Sequence, residues 1–381
     1  MKNIALLGST GSIGRQTLDV VRAFPDRLRV IGLAAGNNTD LFAKQIREFS
    51  PAAVCSPAFE HDPTSLTALA SPGARFYPMA EMAAMPEVDL VVIATSGKAG
   101  LLPCLAALSQ GKSVALANKE VLVMAGAILT AEAERKGGHI LPVDSEHSAV
   151  WQCLRGEKDA VARLILTASG GPFREYTLQE MSAVTPAKAL KHPTWSMGPK
   201  VTVDSASLMN KGMEVIEAHW LFQIGLNDIH VVIHPESIIH SMVEFVDGSI
   251  KAQLSYPDMR LPIQFALSYP ERFPGHFVPR MDFSNTQSLT FQEPDWHLFP
   301  CPKLAIAAAK QGGTYPSVLC AADEVAVDLF LRGRVRFLDI PRIVETALER
   351  HNGGRAESIL EIEEADSWAR RKAREIAGVN E

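Results

Sequence analysis

The stretch DSASLMNKGMEVIE, Asp204 to Glu217, sets Asn210 four residues and Lys211 three residues before Glu214. On a helix this spacing puts an amide, an ammonium and a carboxylate on neighbouring turns of one face. Ser205 and Ser207 add hydroxyls near the expected helix start, where unpaired backbone N–H groups and the dipole favour an anion. Met209, Met213, Ile216 and Trp220 form an apolar stripe about a hundred degrees round from those groups. One end of the polar face suits a phosphate, and Glu214 suits a divalent metal if further oxygens arrive from elsewhere. An ordinary amphipathic helix with a solvated Lys/Glu pair fits the same spacing.

The further oxygens are offered by HILPVDSEHSAV, where Asp144 and Glu146 follow an apolar strand at i,i+2. In extended chain both carboxylates point the same way. With Glu214 they make an all-oxygen set that suits magnesium or manganese better than zinc, although an Asp-x-Glu at a strand end also reads as solvated surface. LTASGGPF carries Ser169 on a glycine-rich strand exit, either a phosphate-binding turn or a tight bend. KHPTWSMGPK, around Trp195, reads as a lid that closes on substrate and excludes water, or as a packed connector anchored by its tryptophan. His192 in that loop and His240 in a later strand are candidate donors to substrate oxygens. Lys119, in Asn118-Lys119-Glu120 after another strand, is placed for the carboxyl edge of a sheet, where ligands bind. His61 and His351 read as surface residues.

Gly8, Gly11 and Gly14 fall in GSTGSIG, after the first apolar run and before a helical one. Glycines there permit a tight strand-to-helix turn and let backbone N–H groups reach a pyrophosphate. A purely structural turn is the alternative. The second strand ends in Ala35-Gly36-Asn37-Asn38, without the acidic residue that an NAD enzyme offers the ribose 2′-hydroxyl, which leans towards NADP.

These residues need elements to hold them. From Asn3 to about Val143, the runs IALLG, RVIGLAA, AAVCS, DLVVIAT, SVALAN and HILPV alternate with helical stretches. That pattern predicts an α/β fold opening with a Rossmann-like, doubly wound parallel sheet. RLILTAS, HVVIH, IIHSMVEF and IKAQLSY predict a central α+β domain with an antiparallel sheet, including a hairpin at Asp247-Gly248. Residues 269–294 lack periodicity and read as a connector. Four helices punctuated by Gly312-Gly313, Gly333 and Asn352-Gly353-Gly354 predict a small C-terminal helical bundle.

The 381 residues suit two or three domains, and the composition, 47% hydrophobic and 21% charged with a formal charge of −6, is that of an ordinary globular chain. Without a Lys/Arg run a nucleic-acid partner is not expected. Cys55, Cys104, Cys153, Cys301 and Cys320 are scattered, with no C-x-x-C, and read as buried thiols in a reducing compartment. No run approaches the roughly 20 apolar residues that span a bilayer. A cytoplasmic location, away from membranes, is the expectation.

GSTGSIG, LANKE, PVDSEH, ASGGPF, HPTWSMG, DSASLMNKGMEVIEA and HPESIIHSM occur in one order, and over nearly the whole chain this series resembles the 1-deoxy-D-xylulose 5-phosphate reductoisomerase family. The resemblance implies an NADPH-dependent oxidoreductase of isoprenoid-precursor synthesis, acting on a phosphosugar with magnesium or manganese and working as a homodimer. It implies NADPH contacts at Thr10, Gly11, Ser12 and Ile13 and further ones at Gly36, Asn38, Asn118, Glu120 and Gly198. Asn37 stands where some relatives carry a basic residue. Metal ligands are implied at Asp144, Glu146 and Glu214. Substrate contacts are implied at Ser169, His192, Ser205, Asn210 and Lys211, with Lys119 and Ser145 near the reacting carbons and Trp195 and Met197 on a closing flap. The domains read from the pattern of elements are 1–143 for NADPH, 144–268 for metal and substrate with a lid near 186–200, the connector 269–294, and the bundle 295–381. A plain NADP-dependent dehydrogenase with structural carboxylates, and a nucleotide-sensing binding protein, are the competing readings.

Overall fold

The computed structural model describes residues 1–57, 74–157, 160–195, 197–275, 277–284 and 288–379. The chain forms two compact units. The first comprises Met1–Val121, Leu129–Ser148 and Asp258–Pro279, and the second Leu122–Ile128, Ala149–Pro257 and Arg280–Glu381.

The first unit is built on a parallel sheet of β1 (Lys2–Leu7), β2 (Leu28–Ala34), β3 (Ala53–Cys55), β4 (Arg75–Phe76), β5 (Leu90–Ile93), β6 (Ser113–Leu116) and β7 (Ile140–Pro142), in the order β4-β3-β2-β1-β5-β6-β7. Strands covered on both faces must be apolar throughout, and Ile4 to Leu7 are fully buried. All six apolar runs read from the sequence are strands. The seventh, β4, is a two-residue edge strand, too short to leave a pattern. Strand order reverses between β1 and β5, which opens a crevice at their carboxyl ends. Between the strands run α1 (Ser12–Ala23), α2 (Thr39–Phe49), α3 (Met79–Ala84), α4 (Leu101–Ser109) and α5 (Lys119–Lys136), and α6 (Ser145–Cys153) follows β7.

The second unit holds β8 (Val161–Ala168), β9 (Ile229–Ile233), β10 (Ile239–Phe245) and β11 (Ile250–Leu254), in the order β11-β10-β8-β9. The β8/β9 pairing is parallel and the other two antiparallel, so the sheet is mixed. Asp247-Gly248 turns the β10/β11 hairpin with Gly248 at φ +83°. Among the described residues, α7 (Leu178–Ser182), α8 (Pro186–Ala189), α9 (Pro199–Ala206) and α10 (Met209–Phe222) lie between β8 and β9. After β11 comes α11 (Arg260–Ser268), which groups with the first unit by packing on α1 and touching β6 and β7. Lys2 Nζ ties down its end by donating to Leu267 O at 2.8 Å. Nothing in the sequence of this amphipathic segment names its partner sheet. The bundle is α12 (Cys301–Gln311), α13 (Tyr315–Leu331), α14 (Asp339–Glu349) and α15 (Ile359–Ile376), stopped at the predicted glycines.

Asp204 to Glu217 is not one helix. Leu208 at φ +59° breaks it into the end of α9 and the start of α10. Ser207 Oγ donates to Asp204 O and accepts from Met209 N, so this hydroxyl folds the turn. Ser205 therefore belongs to the last turn of α9, not to a helix start. All five cysteines are free thiols, four of them buried. Among the described residues no helix is long and apolar enough to cross a membrane.

Candidate active site

The glycine turn of the first unit is sterically obligatory. Gly8 sits at φ +96°, and a Cβ there would lie 2.4 Å from Ala94 O; a Cβ on Gly14 would lie 2.2 Å from Gly8 O. The N–H groups of Gly8 and Ser9 both donate to Ala34 O at 2.8 Å, which holds the turn against the end of β2. Gly11 caps α1 without a side-chain hydrogen bond. The first N–H groups of a helix have no intrahelical partner, so Ser12 and Ile13 present donors to an anion. Thr10 is half-buried, and Gly36, Asn37 and Asn38 lie exposed beyond β2. Asn38 Oδ1 accepts from Leu41 N at 3.2 Å as the cap of α2, and Gly36 O accepts from Ser56 Oγ.

Asn118 caps α5 and donates to Gly97 O at 2.8 Å, so much of its amide is spent inside the protein. Glu120 is buried in the same first turn. Lys119 is also buried and forms an ion pair with Asp144. A carboxylate oxygen of Asp144 and one of Glu146 lie within 4.8 Å. The extended-chain reasoning for this pair does not hold, because Glu146 occupies the first turn of α6 and Asp144 O accepts from Ser148 N at 2.9 Å. The acids share a side because one precedes the helix and the other opens it, where the dipole favours negative charge. Ser145 Oγ donates to Glu146 Oε2 at 2.6 Å. His147, unmarked by the sequence reading, brings a ring nitrogen within 4.8 Å of Asp144 and is fully buried.

In the second unit three predicted residues meet. His192 Nε2 lies 3.2 Å from Ser169 Oγ and 3.1 Å from Ser205 Oγ. Its Nδ1 accepts the N–H groups of Thr194 and Trp195, so in the neutral ring the hydrogen is on Nε2, ready to donate. Burial pushes its pKa down to about 4, which keeps the ring neutral at neutral pH. Gly171 makes the meeting possible: a Cβ there would lie 2.7 Å from Ser205 O.

One turn into α10, Lys211 donates to Thr167 O at 2.7 Å and pairs with Glu214, while the Asn210 amide donates to Glu214 Oε1. Glu214 is 1% exposed, so these donors compensate an almost fully buried charge. The solvated-pair alternative is thereby removed. His240 Nε2 donates to Ser255 O at 3.1 Å, and its ring lies 6.2 Å from that of Trp195, so its donor serves the sheet. Met197 is half-buried, and exposed Gly198 opens α9, with Thr202 Oγ1 donating to its carbonyl. Asp144 and Glu146 belong to the first unit and Glu214 to the second.

Lys200 also escaped the sequence reading. Its ammonium pairs with Asp204 at 2.6 Å and with Asp323 at 3.1 Å. The Lys200/Asp204 spacing of four is legible on a helix, whereas Asp323 lies too far along the chain. His351 lies at the surface but is half-buried, bonded to Thr314 Oγ1 at 2.8 Å and edge-on to Tyr315. His61 lies outside the described residues.

Family models match three stretches in order. They are described as 1-deoxy-D-xylulose 5-phosphate reductoisomerase at 4–126, its C-terminal domain at 140–222, and DXP reductoisomerase C-terminal domain at 254–372. A 1-deoxy-D-xylulose 5-phosphate reductoisomerase of Pelotomaculum thermopropionicum is 55% identical over 379 residues, covering 97% of each chain. One from Heliobacterium modesticaldum is 53% identical, covering 99% of this chain and 98% of the relative. Among solved structures, a DOX-P reductoisomerase in complex with NADPH, fosmidomycin and magnesium superposes with a TM-score of 0.93 at 38% identity, over 99% of this chain and 98% of that one. The Zymomonas mobilis enzyme in complex with NADPH gives 0.91 at 40%, over 99% of both. The chain belongs to the 1-deoxy-D-xylulose 5-phosphate reductoisomerase family.

Proposed function

We propose that the chain converts 1-deoxy-D-xylulose 5-phosphate to 2-C-methyl-D-erythritol 4-phosphate, rearranging the carbon skeleton with a divalent ion and then reducing the product aldehyde with NADPH. Family membership gives the reaction class, and solved relatives hold NADPH and magnesium. The observation that carries the reading is the cluster of Ser169, neutral His192 and Ser205, followed on α10 by Asn210, Lys211 and Glu214. It offers hydroxyl, imidazole and ammonium donors for a phosphate and a carboxylate for a hard cation.

The residues fit both groups. The turn at Gly8 and Gly14 is a cradle that a Cβ would fill, with the N-terminus of α1 behind it. Thr10, Gly11, Ser12 and Ile13 would hold the pyrophosphate, and Gly36, Asn37, Asn38, Asn118, Glu120 and Gly198 would line the rest of the dinucleotide. When bound, NADPH supplies the hydride. Asp144, Glu146 and Glu214 would hold magnesium or manganese, an all-oxygen set of the kind hard ions take. When bound, the ion supplies Lewis-acid stabilisation of the negative charge that develops as a carbon–carbon bond breaks.

The protein's own groups bind and orient. Lys119, paired with Asp144, fixes that carboxylate and places an ammonium near the reacting carbons, with Ser145 beside it. Ser169, His192, Ser205, Asn210 and Lys211 clamp the phosphate, so that fragments recombine before they separate. Trp195 and Met197, in the lid near 186–200, exclude water while the reactive pieces exist. Residues 1–143 would then serve NADPH, 144–268 metal and substrate, 269–294 the connection and 295–381 the supporting bundle, in a cytoplasmic homodimer of isoprenoid-precursor synthesis.

The test is NADPH oxidation with deoxyxylulose phosphate. The rate should vanish with chelator and return with magnesium or manganese, with methylerythritol phosphate seen by mass spectrometry. Full turnover in chelator would sink the metal-assisted mechanism in favour of a plain dehydrogenase.

A further inference from the structure

Lys200, Asp204 and Asp323 form a charged cluster whose acidic members are almost entirely buried, at 2% and 0% side-chain exposure. Lys200 and Asp204 lie one turn apart on α9, while Asp323 comes from α13 in the bundle. The Lys200 ammonium also approaches Met213 Sδ on α10 at 4.0 Å. The Asp204 carbonyl receives the Ser207 hydroxyl that folds the α9–α10 turn. Buried charges hold to their partners because each alone would be costly to desolvate. The cluster thus fixes the rotation of α9 about its axis. Ser205 follows Asp204 directly, about 100° further round the helix. Locking Asp204 therefore sets the direction in which the Ser205 hydroxyl meets His192.

We infer that Lys200, Asp204 and Asp323 are positioning residues through which the C-terminal bundle sets the geometry of the Ser205–His192 phosphate subsite without touching substrate. This inference rests on the phosphate reading of that subsite given above.

The experiment compares the phosphorylated substrate with 1-deoxy-D-xylulose, which lacks the phosphate, in wild type, Asp323→Asn, Ser205→Ala and the double variant. Asp323→Asn should raise the KM for the phosphorylated substrate at least about fivefold, with kcat held within about twofold. Preference for the phosphorylated sugar should fall by the same factor, and NADPH affinity should stay unchanged. The double variant should lose little more than Ser205→Ala, because both act on one hydroxyl. Unchanged phosphate preference in Ser205→Ala would overturn the subsite reading. A lowered preference in Ser205→Ala but not in Asp323→Asn would overturn the positioning role alone. Equal losses with both sugars in Asp323→Asn would mark a merely structural contact and also overturn it. Should Asp323→Asn not fold, Lys200→Arg keeps the charge while changing the hydrogen-bond fork; a phosphate-specific KM increase supports the inference and an unselective one rejects it.

Discussion

His192 Nδ1 accepts the backbone N–H of Trp195 at 2.9 Å. The loop around Trp195 thereby holds the orientation of the imidazole, which directs Nε2–H toward Ser169 and Ser205. If the loop closes on a phosphate held by Ser169 and Ser205, as proposed above, the same ring couples the two.

That ring gives an expected pH dependence. Its pKa falls from 6.5 to about 4 on folding because burial disfavours the charged form. Unfolded chain binds the proton more readily, so the contribution to stability is fully present above about pH 6.5 and is lost as pH falls through about 4. His192→Gln should flatten the fall in Tm across that window, measured by calorimetry at closely spaced pH values. Parallel profiles for variant and wild type would remove this role.

Glu214→Gln keeps the shape of the side chain and removes its charge. Changing groups that merely support a metal ligand costs about 10- to 100-fold, so loss of a ligand should lower turnover by more than about a hundredfold. NADPH binding, followed by nucleotide fluorescence, should survive. Near-normal rates at ordinary metal concentration would refute the assignment.

If Lys211 binds the phosphate as proposed, Lys211→Ala removes a charged hydrogen bond worth about 1.5–3 kcal/mol. The KM should rise by about tenfold or more. Thermal stability should fall as well, because Glu214 loses a buried partner. Steady-state kinetics with KM unchanged would exclude a phosphate contact.

At Gly14 even one methyl group meets backbone, 2.2 Å from Gly8 O. Gly14→Ala should cost about 1–3 kcal/mol by overpacking and weaken NADPH through the displaced turn. Titration calorimetry that finds wild-type NADPH affinity would show that the turn does not touch the dinucleotide.

The parallel sheet was legible because doubly covered strands leave continuous apolar runs such as Ile4 to Leu7, whereas the reversal of strand order between β1 and β5 appears only in the fold. The break at Leu208 was not legible. Met209, Met213 and Ile216 keep the helical period after it, while the left-handed residue is an ordinary leucine held by a buried turn. For Asp144 and Glu146 the sequence located the acids but gave the wrong backbone, because a helix can begin immediately after a strand with no glycine or proline to mark it.

By itself the sequence determined the order of elements, the glycine turn and the residue types of the site, since these depend on local sterics, periodicity and spacing. Tertiary structure decided which groups meet. It brought Ser205 to His192 across the Gly171 turn, gave Lys200 its distant partner Asp323, and attached α11 to the nucleotide sheet. The physical reason is that burial and ion pairing act between surfaces far apart along the chain, and spacing within one segment carries no record of the surface it will face.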